Sequence, residues 1–357
     1  MHPFAPLHSL QDLTDFRRIL LYPAASGAAY FLEFLRAQHG DICSRILCLG
    51  DRDPNKIGLL QSGLPVIAPE DIPASQPDAV IVCSPELFES LSDSFRATLG
   101  PQTPIFLADY FVEYLDWEAR ASALSRRPFD PVTREAFPFA HAPRFFHSMP
   151  LGNGVYPVST KGMLTYRLLE QCRFPADLTG KTVLDLGAAD GFYSLEAKAR
   201  GAAAVTAVDW LYWKDSDGLQ RFRWLQQGYG LEVETRLQDV NAIAAEDFEP
   251  VDVVLLLGLY YHLQDPFRVF RELRRLARER VIITGRTIRA ALPDPFHGHG
   301  RQASVMVLSD NQAGKWTANT HCLLDLLRLA GYSRAEVVFD FCPDGSTIAS
   351  TAIHAMV

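Results

Sequence analysis

The chain has no C-x-x-C pair, no zinc-like spacing among its six cysteines, and no run approaching the ~20 apolar residues that a membrane-spanning helix needs. Cys43, Cys48, Cys83, Cys172, Cys322 and Cys342 are therefore expected to be reduced, buried thiols rather than metal ligands or a disulfide framework. An excess of basic charge is missing too: 34 Lys and Arg stand against 42 Asp and Glu, a formal charge of −8. A general affinity for nucleic acid, which is mainly electrostatic, is not expected from that balance. The opening stretch MHPFAPLHSL lacks the basic start and apolar core of a signal peptide. Together these absences lead us to expect a cytoplasmic protein with no membrane partner. The 48% hydrophobic and 21% charged content is that of a globular protein, and 357 residues allow two domains with a core each.

What is present centres on one stretch. Thr182-Val183-Leu184-Asp185-Leu186 is short, β-branched and apolar, and it runs into Gly187-Ala188-Ala189-Asp190-Gly191, a small-residue turn that opens a helical pattern. Small residues let a ligand approach the backbone, and the helix start supplies free N–H donors. Ala203 to Val208 reads as a second strand ending in Asp209, about twenty residues beyond the turn, where a carboxylate can accept both hydroxyls of a ribose. Val233 to Leu237 reads as a third strand, followed by Gln238-Asp239-Val240, a polar tip beside an apolar wall suited to adenine.

Nicotinamide cofactors and S-adenosyl-L-methionine (SAM) both fit that order. The dinucleotide fingerprint G-x-G-x-x-G is absent: Ala189 replaces the middle glycine, and Asp190 would repel a pyrophosphate. An acidic loop suits a zwitterionic sulfonium better. VLDLGAADG, AVDW, QDV and the string Asp252 to Leu263 resemble the class I SAM-dependent methyltransferases. Leu259-Tyr260-Tyr261-His262 with Asp265-Pro266 resembles, more narrowly, the LYH-x-x-x-P signature of the family containing the tRNA wobble-uridine carboxymethyltransferases. The resemblance covers roughly Phe145 to Val357. It implies an α/β fold, a Rossmann-like methyltransferase domain with a seven-stranded mixed sheet, and SAM as cofactor. The cofactor-binding set it implies is Asp185, Gly187, Asp190, Gly191, Asp209, Trp210, Asp239, Val240 and Gly258.

Transfer of a methyl group from a sulfonium is an in-line displacement, and a hydroxyl or amine acceptor must also lose a proton to a base. His262 is the leading base or orienter, with Tyr261 toward the substrate; both follow the fourth strand at its carboxyl end, where ligands sit in open α/β sheets. The alternative is that His262 caps the helix from Gln264 while Tyr260 and Tyr261 pack. In the resembled family a segment like that around His147 and Tyr156 lies against the cofactor and helps close the substrate pocket; otherwise His147 is a capped loop histidine. Tyr260, His297, His299 and Arg301 complete the substrate candidates, and His297-Gly298-His299, with only Asp294 nearby, is not expected to hold a metal. The wobble-uridine enzymes use a carboxylated cofactor and carry a tryptophan-rich, lysine-bearing segment before the glycine loop. Here GNGVYPVSTKGM lacks tryptophan, and Ala313-Gly314-Lys315-Trp316 stands where that family has an arginine. Plain SAM is expected, although Lys161 or Lys315 could hold a carboxylate instead.

The first third alternates strands (Arg18 to Tyr22, Arg45 to Leu49, Ala79 to Cys83, Pro104 to Leu107) with helices, which implies a smaller parallel α/β domain. Its LGDRDPNKIGLLQSGLPVIAPEDI resembles Rossmann-like modules attached to sugar-modifying enzymes, leaving a purely structural or dimerising module and a nucleotide- or substrate-holding one both open. Tyr110 to Arg127 reads as a connecting helix. Prolines from Pro128 to Pro138 place a boundary there, giving domains of 1–127 and 161–357 around a linker and pocket-closing segment of 128–160. Gln264 to Glu279 reads as an arginine-rich helix with a solvated face. The expected activity is methyl transfer to oxygen on a small-molecule substrate, a sugar, sugar nucleotide or other metabolite, by a protein that could pair with itself through the N-terminal domain. A tRNA-modifying carboxymethyltransferase and a non-catalytic, cofactor-binding regulator or scaffold are the alternatives.

Overall fold

The computed structural model describes residues 4–5, 8–139, 145–162, 164–214, 217–289, 303–308, 316–342 and 346–357. The chain divides into two compact units, residues 1–128 with 138–167 and 343–345, and residues 129–137 with 168–342 and 346–357. The stretch read as a linker is thus shared between them.

In the first unit, strands β1 (Ile19–Tyr22), β2 (Ile46–Gly50), β3 (Leu60–Gln61), β4 (Leu64–Ile67), β5 (Ala79–Val82) and β6 (Ile105–Leu107) form one sheet in the order β3-β4-β2-β1-β5-β6. All neighbours are parallel except β3 and β4, a hairpin to which the sequence reading assigned no element. Helix α1 (Ser26–Gln38) buries Ala28, Phe31, Leu32 and Leu35, a three-and-four spacing that keeps one face apolar. Gly27 is required where α1 meets the end of β5, because a Cβ there would lie 2.2 Å from the Cys83 carbonyl oxygen. The D-x-D-P-x-K motif closes on itself: Lys56 Nζ donates to Asp51 Oδ2 at 2.9 Å and to the Ala24 carbonyl at 2.8 Å, and Asp53 N–H donates to Asp51 Oδ1 at 2.9 Å. Tyr110 to Arg127 is not one helix. A helix spans Val112–Ala119, Ser122 N–H bonds back to the Ala119 carbonyl, and a separate 3₁₀ turn covers Leu124–Arg126. Ser125 Oγ bonds the Ser122 carbonyl there, the local competition with helix that serine favours.

In the second unit, strands β7 (Thr182–Leu186), β8 (Ala204–Asp209), β9 (Glu234–Leu237), β10 (Val251–Leu257), β11 (Ala277–Ile288), β12 (Arg334–Phe341) and β13 (Ile348–Met356) form a seven-stranded sheet ordered β9-β8-β7-β10-β11-β13-β12. The first five are parallel and β13 runs antiparallel to both its neighbours. Helices α2 (Phe192–Ala199) and α3 (Gly218–Tyr229) follow β7 and β8, and α4 (Pro266–Leu276) and α5 (Thr320–Leu329) flank the far half. Val269, Phe270, Leu273 and Leu276 of α4 pack with Leu184, Leu186, Val254 and Leu256 of the central strands. Phe129 lies on α3, its ring 5.0 Å from Trp224 and 4.9 Å from Tyr229. The prolines do not exclude helix here: Pro131 starts a short helix (Pro131–Glu135) at the one position that tolerates it, behind the Asp130 cap.

The reading of Gln264 to Glu279 as a helix is corrected at both ends. Asp265 is the cap, its Oδ1 accepting from Arg268 N–H at 2.9 Å, and the helix stops at Leu276. β11 then runs for 12 residues because Ala277 and Arg280 pair with Val251 and Val253 of β10 and β13 pairs along it from Arg280 to Ile288, tertiary pairing that overrides the helix propensity of Ala-Arg-Glu-Arg. A hairpin of Met306–Leu308 and Trp316–Ala318 was also not anticipated. All six cysteines are free thiols. Among the described residues no helix is long and apolar enough to cross a membrane.

His354 on β13 is buried, and its Nε2–H donates to the Cys172 carbonyl at 2.7 Å. Burial holds its pKa below the usual imidazole value, against the pull of that hydrogen bond. The unfolded chain therefore takes up this proton first, so the stabilisation is present above the unfolded value and lost as pH falls through it. Urea midpoints are expected to drop between about pH 7.5 and pH 5.5, the range spanning an ordinary histidine, with a shallower drop in His354→Gln. Equal slopes would contradict the assignment.

Candidate active site

The parallel register brings the ends of four strands to one edge: Leu186 pairs with Val208, Asp209 with Leu237, and Leu257 with Thr284. The turn after β7 crosses that edge. Gly187 N–H and Ala188 N–H both donate to the Val208 carbonyl, at 2.8 and 3.1 Å, which ties the turn to β8. Ala189 sits at φ +50°, a left-handed conformation uncommon outside glycine, and is held there on both sides. Its N–H donates to Asp209 Oδ2 at 2.9 Å, and its carbonyl accepts from Trp213 Nε1 at 2.5 Å. Gly191 (φ +88°) then starts α2, where a Cβ would lie 2.3 Å from the Phe222 ring. Asp185 is buried and accepts from Ser194 Oγ at 2.5 Å, linking β7 to the first turn of α2.

Asp209 is 7% exposed, and its second oxygen accepts from Tyr212 N–H at 2.9 Å. Burial raises its pKa, with a further push from the Asp190 carboxylate, while the N–H groups of Ala189, Tyr212 and Trp210 oppose the shift. A carboxylate offers about four acceptor positions, so the backbone bonds leave room for ligand hydroxyls. Asp190 is fully buried and raises Tyr212 as well, to about 12, after the larger effect of burial. Two close carboxylates make the edge favourable to a cation. Trp210 is 38% exposed, with Lys214 Nζ 4.8 Å from its ring centroid. After β9, Asp239 Oδ1 accepts from Asn241 N–H and Nδ2, at 2.8 and 3.0 Å, beside buried Val240 and exposed Leu237.

At the end of β10, Gly258 (φ +68°) donates its N–H to both the carbonyl and the hydroxyl of Thr284, each at 3.0 Å. Leu259 lies under Gly187. Of the next three residues, Tyr260 is fully buried and donates its hydroxyl to the Arg286 carbonyl. Its pKa is raised by burial, and its packing withdraws it from the substrate role expected for it. Tyr261 is half-buried, and His262 is exposed with its ring 4.4 Å from that of Tyr261. His262 does not cap the following helix, since Asp265 does.

His147 and Tyr156 belong to the first unit, where His147 is buried edge-on to Phe146 and the Tyr156 hydroxyl donates to Asp116. His297, His299, Arg301, Asp294 and Lys315 lie outside the described residues. Sequence reasoning missed Trp213, Phe222 and Thr284, which hold the two glycine turns. The run Trp210-Leu211-Tyr212-Trp213 directly after Asp209 was the available signal for the first.

This strand order, with its glycine turn and its acidic β8 end, defines the class I methyltransferase fold, and the chain carries a SAM-dependent methyltransferase domain of that class. Residues 165–334 match the family described as a methyltransferase domain. Among curated relatives, the tRNA U34 carboxymethyltransferase of Dichelobacter nodosus is 33% identical over 99 residues, 27% of this chain and 29% of that protein. The ubiquinone biosynthesis O-methyltransferase of Azotobacter vinelandii is 39% identical over 101 residues, 28% of this chain and 41% of that protein. The chain therefore spans less than half the length of these relatives. The crystal structure of the N-terminal domain of EvdMO1 with SAH bound aligns with a TM-score of 0.50 at 17% identity, over 63% of this chain and 95% of that one, a likeness of fold.

Asp209→Ala removes the acceptor for two backbone donors, each costing about 1–3 kcal/mol if left unsatisfied. It is expected to lower the melting temperature and abolish SAM binding, while Asp209→Asn keeps one acceptor oxygen, the fold and a weakened affinity. Unchanged affinity in Asp209→Ala would contradict the ribose assignment.

Proposed function

We propose that the chain transfers a methyl group from SAM to an oxygen of a small metabolite, with a sugar or sugar nucleotide as the finer expectation. The observation that carries this reading is the edge formed by the clamped Ala189 turn, the paired acidic groups Asp190 and Asp209, and the Tyr261-His262 pair at the end of β10. SAM supplies an electrophilic methyl group on a sulfonium. Asp209 has acceptor capacity for ribose hydroxyls, Val240 and Leu237 offer apolar surface for adenine, and the Asp190 carboxylate favours the cationic end. His262 takes the proton from the attacking hydroxyl, Tyr261 donates a hydrogen bond to orient it, and holding nucleophile, carbon and sulfur in line lowers the barrier further.

The tRNA U34 carboxymethyltransferase relatives favour RNA as a second reading. Against it, the arginines of α4 and the residues just after it are largely engaged within the protein: Arg268 with the Ile243 carbonyl at 2.9 Å, Arg274 with the Gly331 carbonyl at 2.8 Å, Arg275 with Glu272 at 3.0 Å, and Arg278 near Asp252 at 3.9 Å. The sugar reading is supported only by the D-x-D-P-x-K-x-G module of the first unit.

Incubation with labelled SAM and panels of hydroxylated acceptors, sugar nucleotides and tRNA should release S-adenosylhomocysteine with a small acceptor. His262→Ala should lower turnover by about 10²–10⁴-fold with cofactor affinity retained. Product formation on tRNA alone would favour the second reading, and binding without turnover on any acceptor would favour a regulatory protein.

A further inference from the structure

Residue 286 touches both tyrosines of the turn after β10. Its carbonyl accepts the Tyr260 hydroxyl, and its guanidinium carbon lies 5.3 Å from the Tyr261 ring centroid. Gly285 makes this approach possible, because a Cβ there would lie 2.5 Å from Tyr260 Cε1 and 2.9 Å from Tyr261 Cδ1. The backbone of this stretch is fixed in turn by pairing of Gly285 with Thr351 and of Arg286 with Ser350 on β13. The Tyr261 hydroxyl consequently rests at the end of β10, 3.6 Å from where a Gly258 Cβ would stand.

We propose that Arg286, resting on the methyl-transfer reading above, is a positioning residue that aims and polarises the Tyr261 hydroxyl at the acceptor's end of the sheet. Tyr260 Oη is anchored by the backbone of the same residue, so one position on β11 sets the whole Tyr260-Tyr261-His262 turn. Among the described residues, the groups facing the Tyr261 ring include Tyr260, edge-on at 5.5 Å, His262 at 4.4 Å and Arg286. Arg286 is the one cation among them that does not depend on protonation near neutral pH. Burial raises the Tyr261 pKa and Arg286 opposes the rise, so the guanidinium makes this phenol a stronger hydrogen-bond donor than burial alone would leave it.

The test replaces Tyr261 with 3,5-difluorotyrosine, whose lower pKa brings the titration within the stable range, in the parent, Arg286→Met and Arg286→Lys proteins. Phenolate absorbance is followed against pH, and SAM affinity is measured on the same samples. Loss of the charge in Arg286→Met should raise the apparent pKa, Arg286→Lys should return most of the rise, and SAM affinity should be retained in all three. Superimposable titrations in Met, Lys and parent proteins would overturn the assignment of Arg286. Absence of SAM binding in the parent would instead strike the methyl-transfer reading. If the Met variant does not fold, the Lys variant still decides by comparison with Arg286→Gln.

Discussion

The hydrogen bond between the Ala189 N–H and the Asp209 carboxylate is the constraint on which the site depends. It joins the turn after β7 to the tip of β8 and holds a non-glycine residue in a left-handed conformation. The carboxylate that does this is also the one proposed to receive a ribose. Its burial raises its pKa, so the protein keeps a costly charge at the sheet edge and offsets the cost with backbone donors from Ala189 and Tyr212. Trp213 closes the other side of the same peptide. Cofactor edge and fold are coupled through these few atoms.

A second constraint acts at the far side of the edge. Gly258 is tied to Thr284, Gly285 admits the two tyrosine rings, and Arg286 meets both. Three consecutive residues at the end of β11 therefore shape the turn that follows β10. The long pairing of β11 with β13 makes this possible, because it carries the strand past the point where its parallel neighbour ends.

The parts of the fold legible in the sequence were those with local signals. Short β-branched runs bounded by glycine or aspartate gave the strands ending at Leu186, Asp209 and Leu237, and the resemblance supplied their order. What was not legible depended on partners distant in the chain. The start of β11 at Ala277 is set by pairing with Val251 of β10, and its continuation from Arg280 by β13, some seventy residues later, while the local sequence at the start favours helix. Tyr260 and Tyr261 are adjacent and alike in sequence, yet one is buried on the Arg286 carbonyl and the other reaches the sheet edge. Likewise the D-x-D-P-x-K motif could not reveal that Lys56 would spend its charge on Asp51 and the Ala24 carbonyl.

The account rests on the claim that this edge accepts a sulfonium nucleoside and not a dinucleotide. Calorimetric titration of the full chain with SAM, S-adenosylhomocysteine and NAD tests it most directly. The geometry predicts one site per chain for each of the first two and no heat of binding for NAD. Binding of NAD with no response to SAM would contradict it.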